Sequence, residues 1–215
     1  MGPAGNARPD VKAGLLKRNK RFRRTMQVPL LVEACSPAIY SDGQIIAGNS
    51  QVLKKNEIGP QTYRDAMARF AGQVHVVTTD GPGGKRGATV IAACSVSDTP
   101  PTVLVCLNRE NLKNEAFIRN GNFALNTLGN DQQALAEAFS GQTGLPVEER
   151  FSLAEWDRIS SGAPTLIGGL AVFDCEIIDT KDHATHRILF GKVTGIRIGD
   201  RLHPLIYFNR DYRIL

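Results

Sequence analysis

Between Val74 and Asn108 the chain alternates runs of β-branched residues with turn chemistry, and this pattern limits the folds open to it most sharply. VHVVTT reads as a strand, DGPGGKRG as a turn, ATVIAA as a second strand, and TVLVCLN, after Pro100-Pro101, as a third. The flanks of DGPGGKRG are expected to pair as a hairpin, and the segment between Cys94 and Pro101 reads as a loop. FALNTL at 123–128 is a further strand, followed by others at 170–178, 187–198 and 205–209. Helical periodicity is confined to short stretches. Pro60 suits a first helical turn, and Tyr63, Ala66, Met67 and Phe70 then share a face, with Gly72 as the stop. Asn111 can cap a helix running to about Arg119, 131–139 is another, and 140–168 is rich in loop residues. Many strands, few helices and no βαβ alternation argue against a Rossmann sheet. They predict a mainly β domain with short helices, a closed or partly closed antiparallel barrel.

Charge divides the chain. Residues 1–55 hold 10 Lys/Arg and 3 Asp/Glu, whereas residues 56–215 hold 16 and 18. The domain is therefore expected to span 57–215 and to be mildly acidic, behind a basic leader at 1–56. KRNKRFRR at 17–24 sets six cations in eight residues, a density that opposes compact folding. The leader reads as a disordered tail or residues upstream of the natural start. Organelle targeting and a polybasic contact remain open alternatives. The acidic body and 7% aromatic content weigh against nucleic-acid binding. No apolar run reaches the roughly 18 residues of a membrane span. The four cysteines, Cys35, Cys94, Cys106 and Cys175, include no Cys-x-x-Cys pair. They read as reduced thiols of a cytoplasmic protein.

Several site classes fail on spacing. A Walker loop needs Ser or Thr after Gly-Lys, but Lys85 is followed by Arg86, and Thr79 stands where the earlier glycine belongs. Arg86 also replaces the third glycine of a dinucleotide fingerprint. His183 and His186 would share a face on a helix, yet their segment reads as a turn entering a strand. No Gly-x-Ser-x-Gly elbow is present. His75 reads as a packed or surface histidine. What remains is the small, hydroxyl-rich stretch Thr89–Ser97, which either fills a crowded barrel position or lets a flat ligand approach the backbone.

The motifs YRDAMxxFAGxVxVVTTDG, GATVIAACSVSDxPP, VCLN, FALNTL, FDCEI, THRILFGKV and PLIYFNRDYRIL occur in this order over residues 57–215. Together they resemble the short-chain flavin reductases, relatives of the reductase component of 4-hydroxyphenylacetate 3-monooxygenase. The pyrimidine-utilisation flavin reductases and the corrin reductases of cobalamin synthesis are the nearest branches. The resemblance implies a split β-barrel, a homodimer, and hydride transfer from NADH or NADPH to FMN, with FAD or riboflavin as other acceptors. Such chemistry belongs to the cofactor, so no protein nucleophile or metal is expected.

The resemblance also assigns residues. Thr89, Val90, Ile91, Ala92, Cys94 and Ser95 fall on the flavin-contacting stretch, with Ser95 or Ser97 reaching the phosphate. Thr78 and Thr79 lie beside it. Asn108, Lys113 and Asn114 are expected at the phosphate end, and Phe139, Ser140 and Gly141 along the flavin's border. His186 is the catalytic candidate, facing the nicotinamide, although Ala184-Thr185 stands where many relatives carry Gly-Asp. Tyr207, Arg210 and Tyr212 either flank the pyridine nucleotide or, for the tyrosines, pack in the core. No basic cluster in 185–213 reads a 2′-phosphate, which favours NADH. The implied partner is a flavin-dependent monooxygenase. A corrin acceptor is the alternative, and a flavin-binding or flavin-sensing protein without turnover is the non-enzymatic one.

Overall fold

The computed structural model describes residues 1–2, 52–200 and 202–214. The basic run at 17–24, Cys35 and nearly all of the leader lie outside the described residues. A compact unit spans Leu53–Leu215. Its helices are α1 (Pro60–Met67), α2 (Glu115–Asn120), α3 (Gln133–Ser140) and α4 (Val147–Phe151). Its strands are β1 (Gly72–Gln73), β2 (His75–Thr79), β3 (Arg86–Val90), β4 (Ala93–Asp98), β5 (Pro101–Asn108), β6 (Asn122–Thr127), β7 (Trp156–Asp157), β8 (Thr165–Leu166), β9 (Ala171–His183), β10 (His186–Ile198), β11 (Leu205–Phe208) and β12 (Asp211–Ile214).

Seven strands form one antiparallel sheet in the order β3-β2-β6-β9-β10-β5-β4. The sheet coils, so that β3 at one edge approaches β5 near the other. This is the open, split form of the expected barrel. A second sheet, β1-β11-β12, lies alongside, and β7 and β8 pair separately.

Side-chain alternation along β2 explains how two cores share one strand. Val77 joins Val105, Leu107, Phe117, Phe123, Leu125 and Leu189 inside the coiled sheet. Val74 and Val76 face the other way, onto Leu135, Phe139, Phe151 and Leu205. Phe117 and Phe123 are fully buried, each contributing about 1.5–3 kcal/mol of burial. Helix α3 repeats the logic with its own period. Leu135 and Phe139 are one turn apart and both buried, and Gly141, in the left-handed region at φ 90°, ends the helix.

Among the described residues, buried polar side chains are paired. Asn126 donates to the carbonyls of Val76 and Ala124 and to the Thr78 hydroxyl, and accepts from the Leu166 N–H at 2.8 Å. Asp174 accepts from the N–H groups of Ser160 and Ser161 at 2.6 and 2.8 Å and from the Ser161 hydroxyl. That carboxylate pins the loop before β8.

Five local expectations need correction. The first helix stops at Met67, and its apolar side is left open, with Tyr63, Met67 and Phe70 all exposed. The strand expected at 88–93 breaks at Ile91-Ala92. The segment read as a loop continues as β4, which is paired with β5 as a hairpin. Small residues there concealed a strand, because Ala, Cys and Ser carry little β signal. The stretch 140–168 contains α4, and the final residues fold back as β12 on β11.

Candidate functional site

The break between β3 and β4 opens a cavity of about 300 Å³, at the lower end of the range for ligand pockets. Its lining includes Thr89, Val90, Ile91 and Ala92 at the break, Asn108 at the end of β5, Ser140 at the end of α3, and His186 at the start of β10. Five separate chain segments thus meet where the sequence motifs pointed, with Asn114 and Phe139 among them.

Close packing of α3 on β3 shapes the inner wall. Gly87 lies so near the Phe139 ring that a Cβ there would stand 2.4 Å from it. The Thr89 hydroxyl donates to the Ala136 carbonyl at 2.6 Å, tying the strand to the helix. Behind Phe139 stand Phe151 and Trp156, with ring centroids 5.0 and 5.9 Å away in edge-on contact. The Trp156 N–H is held by the Phe151 carbonyl at 2.8 Å. The wall is therefore a stack of locked aromatic rings rather than a movable loop.

The opposite wall comes from register. β5 pairs with β10 so that Asn108 and His186 are direct cross-strand partners. His186 also faces His183 across the two-residue Ala184-Thr185 turn. The turn expected at this point is present, with Ala184 in the left-handed region at φ 48°. The Thr185 hydroxyl lies 2.9 Å from His186 Nδ1, and among the described residues none bonds Nε2. Arg187 binds Asp182 at 2.6 Å and Glu115 at 3.0 Å, anchoring the hairpin to α2. The Arg187 guanidinium beside Asp182 holds that carboxyl below its ordinary range. At the third side, Asn111 accepts from the Lys113 N–H at 3.2 Å, the cap the sequence predicts. Asn114 donates to the Asn108 carbonyl at 2.8 Å.

The remaining candidates lie outside the cavity lining. Thr78 and Thr79 are fully buried. Thr78 donates to the Pro164 carbonyl and Thr79 to Asn122 at 2.7 Å. Cys94 and Ser95 are exposed on β4, and Ser97 accepts from the Thr99 N–H at 3.0 Å, closing a turn. Lys113 is exposed beside the capped turn. Tyr207 and Tyr212 pack edge-on at 5.3 Å against the outer core, as the packing alternative has it. Burial pushes the Tyr212 hydroxyl pKa up. Arg210 is bound to Asp65 of α1.

Sequence reasoning missed Arg86, Ala88, Cys106, Leu107 and Asn111, which also line the cavity. The signal was available for two of them: Arg86 and Ala88 precede Val90 by four and two residues and so share its strand face. Burial, and secondarily Cys94, raises the Cys106 thiol pKa, so it is not an activated nucleophile. Among the described residues no three His, Cys, Asp or Glu side chains gather as a metal site.

The lining suits a planar, polar-edged ligand. Ala88 and Ala92 take little space, and β3 is an edge strand of its sheet, so alternate backbone N–H and C=O groups face outward. Carboxamides and a cation stand around the rest.

Residues 67–215 match the flavin reductase like domain family. The FMN reductase (NADH) RutF of Ancylobacter novellus is 46% identical over 164 residues, covering 76% of this chain and 90% of the relative. A solved Haemophilus somnus protein assigned as a flavin reductase superposes with a TM-score of 0.70 at 40% identity, covering 74% of this chain and all of the other. The styrene monooxygenase flavin reductase of Pseudomonas putida superposes with a TM-score of 0.61 at 28% identity, over 71% and 96% of the two chains.

Proposed function

The chain belongs to the flavin reductase like domain family, and on that premise we propose that it is an NADH-dependent FMN reductase. NADH, FMN and a proton become NAD⁺ and reduced FMN, by hydride transfer from the nicotinamide ring to the flavin ring. The observation that carries this reading is the convergence of the Thr89–Ala92 break, Asn108, Ser140 and His186 on one cavity.

When bound, the flavin supplies the hydride-accepting chemistry. The protein's work is positional. The edge of β3 offers backbone groups to the polar rim of a flat ring, and Ala88 and Ala92 let the ring come close. Val90, Leu107 and Phe139 keep water from its inner side. His186, whose Nε2 none of the described residues bonds, is placed to hydrogen-bond the nicotinamide carboxamide and hold the donor ring in register.

Reduced FMN then serves a separate flavin-dependent monooxygenase in the cytoplasm, where NADH and FMN occur together. The name of the Pseudomonas putida relative supports such a partner. The enzyme works as a homodimer. Support comes from Tyr63, Met67 and Phe70, which line one side of α1 and its C-terminal extension in the open, and from Ile91, exposed at the cavity. Apolar groups grouped in this way favour a partner surface.

The test is an absorbance spectrum of the protein reconstituted with FMN, followed by NADH without oxygen. Bleaching of the flavin band at catalytic rates is expected. Binding of FMN without NADH oxidation would leave only a flavin-binding or sensing role. Light scattering of the same sample is expected to return twice the 23.4 kDa chain mass.

A further inference from the structure

Among the described residues, one cation of the cavity lining has no counterion. Arg86 leaves the hairpin turn at the start of β3 and is 8% exposed. Its Nε donates to Asn114 Oδ1 at 3.2 Å, a neutral acceptor. Among the described residues no carboxylate reaches ion-pairing distance of it, whereas the more accessible Arg187 has two. A second guanidinium, Arg150 on α4, stands near enough to repel it, and Arg150 Nε is spent on the Leu145 carbonyl at 2.7 Å. Burial first, and then Arg150, pulls the Arg86 pKa below its ordinary value. Arginine nonetheless stays protonated in proteins.

The terminal nitrogens of Arg86 are not sealed in. Among the described residues no fully buried side-chain nitrogen lacks a partner. Among the described residues Arg86 has a hydrogen-bond partner only at Nε, so its two terminal amino groups reach accessible space, and the residue lines the cavity. A buried guanidinium with accessible terminal nitrogens, and a second positive charge near it, is unfavourable until an anion arrives. The geometry of the fork suits two oxygens of one tetrahedral anion.

We propose that Arg86, oriented by Asn114, anchors a phosphate group in this cavity, and that the group is the 5′-phosphate of FMN. The proposal rests on the flavin reductase reading and adds what selects the acceptor. Riboflavin lacks the phosphate and gains nothing from Arg86. FAD carries the equivalent phosphate and shares the anchor. The β4 hydroxyls Ser95 and Ser97, expected at the phosphate, stand outside the cavity lining, and the anchor comes instead from the far end of β3.

The experiment measures dissociation constants of the full chain for FMN and riboflavin, in wild type, Arg86→Met and Arg86→Lys. Wild type is expected to prefer FMN by at least about tenfold, the scale of a charge-assisted hydrogen bond. The preference should collapse in Arg86→Met and return in part in Arg86→Lys. Inorganic phosphate should compete with FMN on the wild type and raise its unfolding temperature, and should do neither for Arg86→Met. If Arg86→Met does not fold, Arg86→Gln takes its place in the same comparison.

Equal affinities of wild type for the two flavins would overturn the anchor while leaving the reductase reading intact. So would equal losses for both flavins in Arg86→Met. A rise in the KM for NADH with riboflavin as acceptor, at an unchanged FMN preference, would assign Arg86 to the nucleotide's phosphates and overturn the proposal too. Failure of wild type to bind either flavin would sink the reductase reading, and this inference with it.

Discussion

Gly87 and the Phe139 ring stand so close that β3 and α3 meet without space for a single methyl group. The contact holds the strand edge and the end of the helix as one wall of the cavity. Gly87→Ala is therefore expected to cost about 1–3 kcal/mol, the usual penalty for overpacking. It should also weaken FMN binding, because Phe139 lines the cavity and is backed by Phe151 and Trp156. Urea unfolding and FMN titration check both effects. Adding Phe139→Leu should recover part of each loss, since residues in contact are not additive.

The Thr89 hydroxyl binds the Ala136 carbonyl, so its contribution is to hold α3 in place. Thr89→Val keeps the shape and removes the bond. A loss of about 1 kcal/mol is expected in denaturant unfolding, with FMN affinity weakened a few-fold as α3 loosens. If FMN binding were abolished while stability held, Thr89 would be a direct ligand contact.

His186 is bracketed by Asn108 across the ladder and Thr185 at Nδ1. His186→Ala should raise the KM for NADH or lower kcat by about tenfold, equivalent to roughly 1.4 kcal/mol of transition-state stabilisation. FMN affinity should stay within about twofold. Steady-state kinetics at saturating FMN separate these, and wild-type behaviour would remove His186 from the site.

His75 predicts an acid limit to stability. Burial lowers its pKa from 6.5 to about 4, and its Nδ1 meets the Thr127 hydroxyl at 3.1 Å. The folded state thus binds the proton less readily than the unfolded chain. The stabilisation is complete above pH 6.5 and is lost as pH falls toward 4, by at most about 3 kcal/mol. Unfolding free energies measured across that window should decline, and decline less in His75→Gln. A decline of equal slope in the variant would place the acid sensitivity elsewhere.

Much of this protein can be read from its order of residues. The strands of β2, β5, β6, β9 and β10, the β2–β3 hairpin, the Asn111 cap and the turn before His186 all follow from patterns within a few residues of each position. Backbone propensity and side-chain alternation act over that range. The motif stretch Thr89–Ala92 and the distant Asn108, Ser140 and His186 were legible as site candidates because their motifs recur together.

Tertiary structure decided what each side chain does there. Thr78 and Thr79 carry the same hydroxyl as Thr89, yet the coil of the sheet turns them into the core and commits them to Pro164 and Asn122. The face Tyr63–Met67–Phe70 has the pattern of a buried helix, but no element of the described residues covers it. Arg86 shows the difference most plainly. Within DGPGGKRG it looks like one more cation of a solvated turn. It becomes a buried charge, without a carboxylate partner among the described residues, only when α3, α4 and the Asn114 turn close around β3. Local sequence sets which conformations a segment prefers, whereas burial and charge balance depend on neighbours brought from far along the chain.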